Sequence, residues 1–398
     1  MTKRCCKNID IENAETIMPF IEECFKRHKK RRDFKRLIIN HGFTETDYAD
    51  LLNGKNNALQ RISKCIAEEI SRNIRNRTIP KFETWASRKY DFSSCKERLI
   101  GNETCLQRLY DYVAVRSCDE LWRRKLVENQ CSSIPRRGQV YGMKLIRHYI
   151  LQDNRSARYA VKHGFRYTRK CRYFVKLDLH HCYESIDKDL LYSRLSHDIK
   201  NEPILYLWKC LLDSYAGSTK GILIGALPSQ FLSQYMVAPI YRHATQYKHI
   251  SHMVIYMDDM LLFSLNRRKL LATVRELIRW AADNLHLEIK GNFAIKKLAN
   301  EPIDMMGYVI HQNGKVTIRA KPFIRLRRQV LRYDARKSMT IKQAKRIVSY
   351  KGFLKFSNCS KLRHEYYPAI RYAQDLISLS ERGKLNGLCN LKQRTAEN

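Results

Sequence analysis

The sequence predicts an α+β fold, rich in long helices and carrying a few short strands. Three observations predict it. Glycine (15) and proline (9) are scarce in 398 residues, which favours long helical elements over an all-β chain. Apolar residues make up 44%, enough for a real core. The clearest β-branched and aromatic runs, 173–177 and 253–256, are short, and each stops at or close to an aspartate.

The elements follow in order. Residues 1–90 read as a basic helical N-terminal extension. Within it, 26–36 hold eight basic residues and one acid, either a solvated face or an arm against phosphates. Ile62, Ile66, Ile70 and Ile74 repeat every four residues, an apolar stripe on one helix face, and Pro80 is a stop. Residues 91–165 are mixed. The segment 96–101 leads into a helix through Leu106, Leu109, Tyr110 and Val113. A loop over 132–139 follows, marked by Pro135 and Gly138 and carrying Arg136 and Arg137. Residues 166–310 hold a strand ending on Asp178, a helical stretch over 190–212 and a segment opened by Gly221 and Gly225. They close with a hairpin around Asp258-Asp259 and a helix over 267–285. From 311 to 398 the chain is basic and helical. Between Arg319 and Arg371 there are 16 Lys and Arg against Asp334 and Glu365, interleaved with Phe323, Tyr333, Tyr350, Phe353, Phe356, Tyr366 and Tyr367. That pattern suits a surface that packs inward and grips a phosphate backbone outward.

Charge narrows the partners. Lys plus Arg number 75 and Asp plus Glu 39, so 75 − 39 gives +36. Such a chain repels itself unless a polyanion is near, so nucleic acid, a membrane surface or another acidic polymer is expected. No apolar run approaches the ~18 residues needed to cross a bilayer. The first residues lead into charged sequence and not into an apolar signal, so a cytoplasmic chain is expected. Thirteen cysteines without a C-x-x-C pair read as reduced thiols, not as zinc ligands. Membrane binding has only the charge in its favour.

Three acids stand out. Asp178 ends one apolar strand, and Asp258 and Asp259 sit between two others. A carboxylate so placed is costly unless it is paired or holds a cation. Divalent metals would relieve the repulsion of three, and paired metals serve phosphoryl transfer. An Asp-Asp pair in a hairpin is also ordinary turn chemistry.

The flanking residues resemble the catalytic core of reverse transcriptases. Tyr256-Met257-Asp258-Asp259 matches the Y-x-D-D signature of the palm hairpin. The stretch from Val175 to Asp187 resembles the first palm motif, with Tyr183 five positions after Asp178. Gly225-Ala226-Leu227-Pro228-Ser229-Gln230 resembles the G-x-x-x-S motif, and Met305-Met306-Gly307-Tyr308 the primer-grip hairpin. The motifs come in the family's order over roughly 91–370.

The resemblance implies a right-hand polymerase: fingers over 91–165, a palm of antiparallel sheet and helices over 166–310 with fingers-like helices inserted, and a helical basic thumb over 311–398. It implies RNA-templated DNA synthesis with two Mg²⁺ ions, for which Mn²⁺ can substitute. Asp178, Asp258, Asp259 and the backbone carbonyl of Leu179 would hold the metals. Lys96 and Arg98 would clamp the dNTP triphosphate, Tyr183 would exclude a 2′-hydroxyl by collision, and Gln230 would lie near the templating pair. Arg136, Arg137, Gly225, Ser229, Tyr256, Met257 and Gly307 would contact template or primer, and Lys290 is a candidate proton donor. The implied partners are an RNA template, such as a cognate non-coding RNA, a DNA primer and its cDNA product, and dNTPs. A small accessory protein or a second copy of the chain could join them.

The middle motif separates subtypes. Many reverse transcriptases carry Q-G-x-x-x-S-P, whereas this chain has Ile224-Gly225-Ala226-Leu227-Pro228-Ser229-Gln230. That pattern is similar to diversity-generating retroelement enzymes, in which it accompanies errors opposite template adenines. The long N-terminal extension departs from their compact members. A phage-defence reverse transcriptase copying a dedicated non-coding RNA is the alternative, and a non-catalytic RNA-binding protein is a third reading.

Overall fold

The computed structural model describes residues 4–91, 96–215 and 219–381. The chain divides into two units, one of 1–135, 176–262 and 268–294, the other of 136–175, 263–267 and 295–398. The fold class is α+β, with antiparallel pairing in its hairpins.

The first unit opens with helices α1 (Ala14–His28), α2 (Arg32–Asn40), α3 (Glu45–Leu52) and α4 (Asn56–Arg75). The isoleucine stripe of α4 is fully buried, as its four-residue spacing predicts. Hairpin strands β1 (Thr84–Asp91) and β2 (Lys96–Glu103) follow, paired Thr84 to Glu103 through Asp91 to Lys96. The first 90 residues are therefore helical only as far as Arg75. Beyond Pro80 the run Thr84-Trp85-Ala86-Ser87 gains a partner strand, which overrides helical composition. Next come α5 (Cys105–Ser117) and α6 (Asp119–Lys125).

Helix α7 (Gln139–Lys162) belongs to the second unit. Strand β3 (Tyr173–Asp178) buries Phe174, Val175 and Leu177. After it stand α8 (Cys182–Ser185), α9 (Lys188–Asp198), α10 (Glu202–Ser214) and α11 (Leu227–Thr245). The helical stretch expected over 190–212 is broken at 199–201. There the Cys5 N–H donates to the Asp198 carbonyl (2.7 Å) and the Lys200 N–H to the Cys5 carbonyl (3.1 Å). Asn201 then caps α10 through its side chain.

Strands β4 (Ile250–Tyr256) and β5 (Asp259–Ser264) form the central hairpin, and α12 (Arg267–Leu285) matches the expected helix. Strand β6 (Ile295–Lys297) pairs with Tyr173–Val175 of β3, and the sheet order is β4-β5-β3-β6. A separate sheet, β7 (Ile303–Met305), β8 (Tyr308–Ile310) and β9 (Val316–Ile318), precedes the basic helices. These are α13 (Ala320–Arg336), α14 (Ile341–Phe356), α15 (Ser360–Glu365) and α16 (Tyr367–Glu381), packed on a core that includes Leu326, Val330, Ile347, Tyr366 and Ala373. Among the described residues no helix is long and apolar enough to cross a membrane.

Asp198 is a polar knot of the first unit. Its buried carboxylate accepts from Lys125 Nζ (2.6 Å), the Tyr235 hydroxyl (2.7 Å) and His197 Nδ1 (3.0 Å). Burial pushes its pKa up, but the hydrogen bonds outweigh burial and hold it below the ordinary value. Asp198→Ala should cost about 2–3 kcal/mol in denaturant unfolding, since it strands buried donors. A depressed folded pKa gives stability that is present above the ordinary carboxylate range and fades as pH falls through the folded value. Asp198→Asn should therefore flatten the acid limb of the stability profile, which unfolding series at stepwise lower pH would read.

Candidate active site

The β4–β5 hairpin turns at Met257-Asp258, and Met257 takes φ +55°. A non-glycine residue in that region needs support from its surroundings. Here Ser132 Oγ accepts the Met257 N–H (2.9 Å), and the Met257 carbonyl accepts from Gln234 Nε2 (3.4 Å). The segment behind Ser132 runs along the free edge of β4. Ile255 N–H donates to the Asn129 carbonyl (3.0 Å) and Cys131 N–H to the Ile255 carbonyl (2.8 Å). Gln130, fully buried, donates to the Gln234 carbonyl of α11 (2.8 Å), and Asn129 Nδ2 donates to the Met253 carbonyl (2.8 Å). Sequence reasoning missed Gln130, Ser132 and Gln234. Gln234, a polar residue within an apolar stretch, was the available signal; Gln130 and Ser132 lie in a polar stretch and gave none.

Asp178 is tied to that turn through its neighbour. The Leu179 N–H donates to the Asp258 carbonyl (3.3 Å), joining residues 79 positions apart in sequence. On the other side the Lys290 N–H donates to the Asp178 carbonyl (2.9 Å) and the His180 N–H to the Glu288 carbonyl (2.8 Å). The buried Cys182 thiol is pushed up to about 12 by burial first, then by the Asp258, Glu184 and Asp178 carboxylates, so charge from both strands reaches one point. Two ammonium groups are drawn to the aspartates. Lys290 pairs with Asp178, and Lys176 Nζ stands 3.9 Å from Asp259.

Among the described residues no three His, Cys, Asp or Glu side chains stand together as a ready metal site. The donor chemistry nonetheless fits a hard divalent cation. Asp178, Asp258 and Asp259 offer only oxygens, and the Leu179 carbonyl receives no hydrogen bond from the described backbone. The lysines already on these carboxylates show that the place attracts positive charge.

The expected nucleotide contacts surround this point unevenly. Tyr183, in α8, is half-buried. Burial raises its pKa, while a hydrogen bond to Ser233 of α11 opposes the rise. Its carbonyl accepts the Ile222 N–H (2.9 Å), which docks the segment leading into α11. Ser229 is fully buried and Gln230 exposed at the start of α11. Gly225 has φ +108°, and a Cβ there would lie 3.1 Å from Ile100 of β2. Gly101 of β2 donates to the Ile224 carbonyl (2.7 Å). Lys96 and Arg98 are backbone members of β2, and their side chains lie outside the described residues. Tyr256 ends β4, half-buried, just before the turn.

Residues 88–310, more than half of the chain, match the family model described as reverse transcriptase (RNA-dependent DNA polymerase). The chain belongs to the reverse transcriptase family. Among solved structures it is similar to a telomerase from Candida albicans in complex with a TWJ fragment of telomeric RNA. That pair shares 10% identity over 77% of this chain and 62% of that one, with a TM-score of 0.39. It is also similar to an apo telomerase from Candida tropicalis, at 8% identity over 94% of this chain and 78% of that one, with a TM-score of 0.41. The reverse transcriptase chain thus spans less than two thirds of the first of these. No match was found among curated proteins.

Behind Ser229 the reverse transcriptase buries an acid pair. Glu103, the last residue of β2, and Asp111 of α5 are almost wholly enclosed. Burial pushes both carboxyl groups up, Asp111 far above the ordinary value. Arg108 Nη2 lies 2.6 Å from Glu103 Oε1, off the hydrogen-bonding direction. Both oxygens of each acid, with the Tyr215 hydroxyl and Ser229 Oγ, lack a conventional hydrogen-bond partner. Two carboxylates in contact inside a protein cannot both ionise cheaply, and one proton between them satisfies both.

The remaining expected contacts belong to the second unit and are described within it. Arg136 has φ +65° and is exposed, and Arg137 lies 6.0 Å from the Tyr141 ring. Met306 and Gly307 form the β7–β8 turn with φ +56° and +82°. A Cβ on Gly307 would lie 2.5 Å from the Phe353 ring. The basic runs differ in kind. In α1 and α2, Lys26 pairs with Glu22, Arg27 with Glu23, Arg31 with Asp33 and Lys35 with Glu45. On α13 and α14, Arg327, Arg328, Arg332, Arg336, Lys342 and Lys345 have no acidic partner among the described residues. In the N-terminal run, four of the eight basic residues are answered by acids.

The acid pair makes stability depend on pH with the opposite sign to Asp198. Raised folded pKa values give stability that is full below the ordinary carboxylate range and is lost as pH rises through them. Asp111→Asn keeps a hydrogen-bonding side chain and cannot ionise. It should hold its stability where the wild type declines toward alkaline pH. Parallel unfolding free energies for the two chains across that range would exclude the shared proton.

Proposed function

We propose that this reverse transcriptase extends a primer 3′-hydroxyl with dNTPs along an RNA template, with Asp178, Asp258 and Asp259 as its catalytic carboxylates. The observation that carries the reading is the Leu179 to Asp258 hydrogen bond, which places the end of β3 beside the β4–β5 turn. The three carboxylates and the Leu179 carbonyl would hold Mg²⁺ or Mn²⁺. Bound there, two such ions would favour deprotonation of the primer 3′-hydroxyl and stabilise charge on the leaving pyrophosphate.

The chain's own residues divide the remaining tasks. Ser132 and Gln234 fix the strained turn, so the two adjacent aspartates keep one orientation. Tyr183, half-buried and docked through its carbonyl on the Ile222 N–H, presents a ring that suits a steric gate against a 2′-hydroxyl. Lys96 and Arg98 of β2 would meet the triphosphate, and Gly225, docked on β2, lets α11 bring Ser229 and Gln230 near the base pair. Lys290, already on Asp178, would give a proton to the leaving pyrophosphate. Arg136, Arg137, Tyr256, Met257 and Gly307 would meet template or primer, and the uncompensated helices α13 and α14 the duplex backbone. In domain terms this gives fingers over 91–165, a palm over 166–310 and a thumb over 311–398, preceded by the helical extension.

For biological role we infer an error-prone enzyme of a diversity-generating retroelement. Exposed Gln230, following buried Ser229, supports this, because its amide offers a donor and an acceptor where proline would offer neither. The four-helix stretch α1–α4 favours a second reading, a defence enzyme that copies a dedicated non-coding RNA.

Asp258→Ala combined with Asp259→Ala should reduce dNTP incorporation on a primed RNA template to background while RNA binding stays within about twofold. Unchanged incorporation would remove the carboxylates from the reaction. Gln230→Pro should shift the error spectrum opposite template adenines, read by sequencing the cDNA. Sequencing the RNA that co-purifies with the wild-type chain separates the two roles, by a template repeat in one case and a structured non-coding RNA in the other.

A further inference from the structure

Within the second unit, a cavity of about 260 Å³ opens where α13 turns into α14. Gln329, Arg332, Tyr333 and Arg336 reach it at the i, i+3, i+4, i+7 spacing of a single helix face. The far wall comes from the turn and α14, with Met339, Gln343 and Ile347. Its volume lies just below the ~300–1,000 Å³ of small-molecule pockets, far more than one phosphate fills.

The lining is of two kinds. Tyr333 and Ile347 are buried side chains of the helical core, and Met339 is half-buried beside them. Arg332 and Arg336 are exposed and have no hydrogen-bond or ion-pair partner among the described residues. Asp334, the nearest acid in sequence, is answered by Lys337 at 3.8 Å, whose Nζ in turn stands 5.7 Å from the Tyr333 ring centroid, so its charge is met before it reaches the cavity. The Thr340 and Gln343 capping box takes up the Thr340 and Gln343 N–H groups at the start of α14, and the guanidinium groups bring the formal positive charge to this cavity. Gln343 Oε1 serves that box, which leaves its amide NH₂ free to donate, and Gln329 offers both a donor and an acceptor.

An apolar floor, amide groups at mid-depth and two adjacent guanidinium groups at the rim match a planar heterocycle carrying a phosphate. We propose that this cavity binds one nucleoside 5′-phosphate, with its phosphate on Arg332 and Arg336 and its base against Tyr333, Met339 and Ile347. A free nucleotide and an unstacked nucleotide of a bound RNA share this chemistry. The proposal goes beyond the polymerase reading and uses none of the residues assigned to catalysis.

The test uses the full chain carrying Asp258→Ala and Asp259→Ala, so that a failure here says nothing about incorporation by the wild type. The probes are 2-aminopurine riboside 5′-monophosphate and a single-stranded RNA carrying one 2-aminopurine, followed by fluorescence. Arg332→Gln with Arg336→Gln should weaken binding at least about tenfold, because charge-assisted bonds to phosphate are lost. Met339→Trp, which fills the cavity without changing charge, should do the same, whereas Arg327→Gln on the opposite face should change it by less than about twofold. Should Met339→Trp unfold the chain, the exposed arginine pair still tests the site against Arg327→Gln. Binding of the free monophosphate identifies a nucleotide pocket, and binding of the RNA probe alone identifies an unstacked residue; both support the proposal. Equal loss from Arg327→Gln, displacement by inorganic phosphate as effective as by uridine 5′-monophosphate, or indifference to Met339→Trp would leave only a diffuse basic surface and overturn it.

Discussion

The arrangement depends on holding like charges close. Asp178, Asp258 and Asp259 repel one another, and no hydrophobic force gathers carboxylates. What brings them together is backbone: the Leu179 N–H on the Asp258 carbonyl, and the Lys290 N–H on the Asp178 carbonyl. These bonds use main-chain atoms and not the carboxyl groups themselves. Lys290 and Lys176 already show the preference for positive charge at this place. All three aspartates lie within residues 88–310, the stretch that matches the reverse transcriptase family.

Support for the turn comes from a second polar layer. Buried Gln130 and Ser132 join β4 to α11 and the turn, and each is hydrogen-bonded, as buried polar groups in a stable interior must be. The acid pair of Glu103 and Asp111 is the contrasting case, with buried oxygens that only a proton can reconcile. One network fixes geometry by being complete. The other stores an electrostatic debt beneath β2 and Ser229, and it makes this part of the first unit sensitive to protons.

Much of this was legible in the sequence. The isoleucine spacing located the buried face of α4, the apolar runs located β3, β4 and β5, and the Asp258-Asp259 pair located the turn between two of them. The α+β class followed from the same signals. What was not legible depended on partners far away in sequence. Residues 84–91 become a strand because β2 pairs with them, and 199–201 break a helix because Cys5 takes their backbone groups. Ser132 looked like part of a polar loop, although its hydroxyl bears the hydrogen bond that Met257 requires. The 26–36 run read as either a solvated face or a phosphate arm, and acids pair four of its eight basic residues.

That last difference has a thermodynamic consequence. Ion pairs over α1 and α2 neutralise one another locally, so their contribution varies little when the surroundings change. Six cations of α13 and α14, Arg327, Arg328, Arg332, Arg336, Lys342 and Lys345, have no acidic partner among the described residues, so these helices carry a net repulsion. Their native packing is therefore linked by mass action to whatever anion is present, with each increment of bound phosphate raising the free energy of unfolding. The same helices would then be a different mechanical object with and without an anion: loosened by their own field when bare, and stiffened once it is answered.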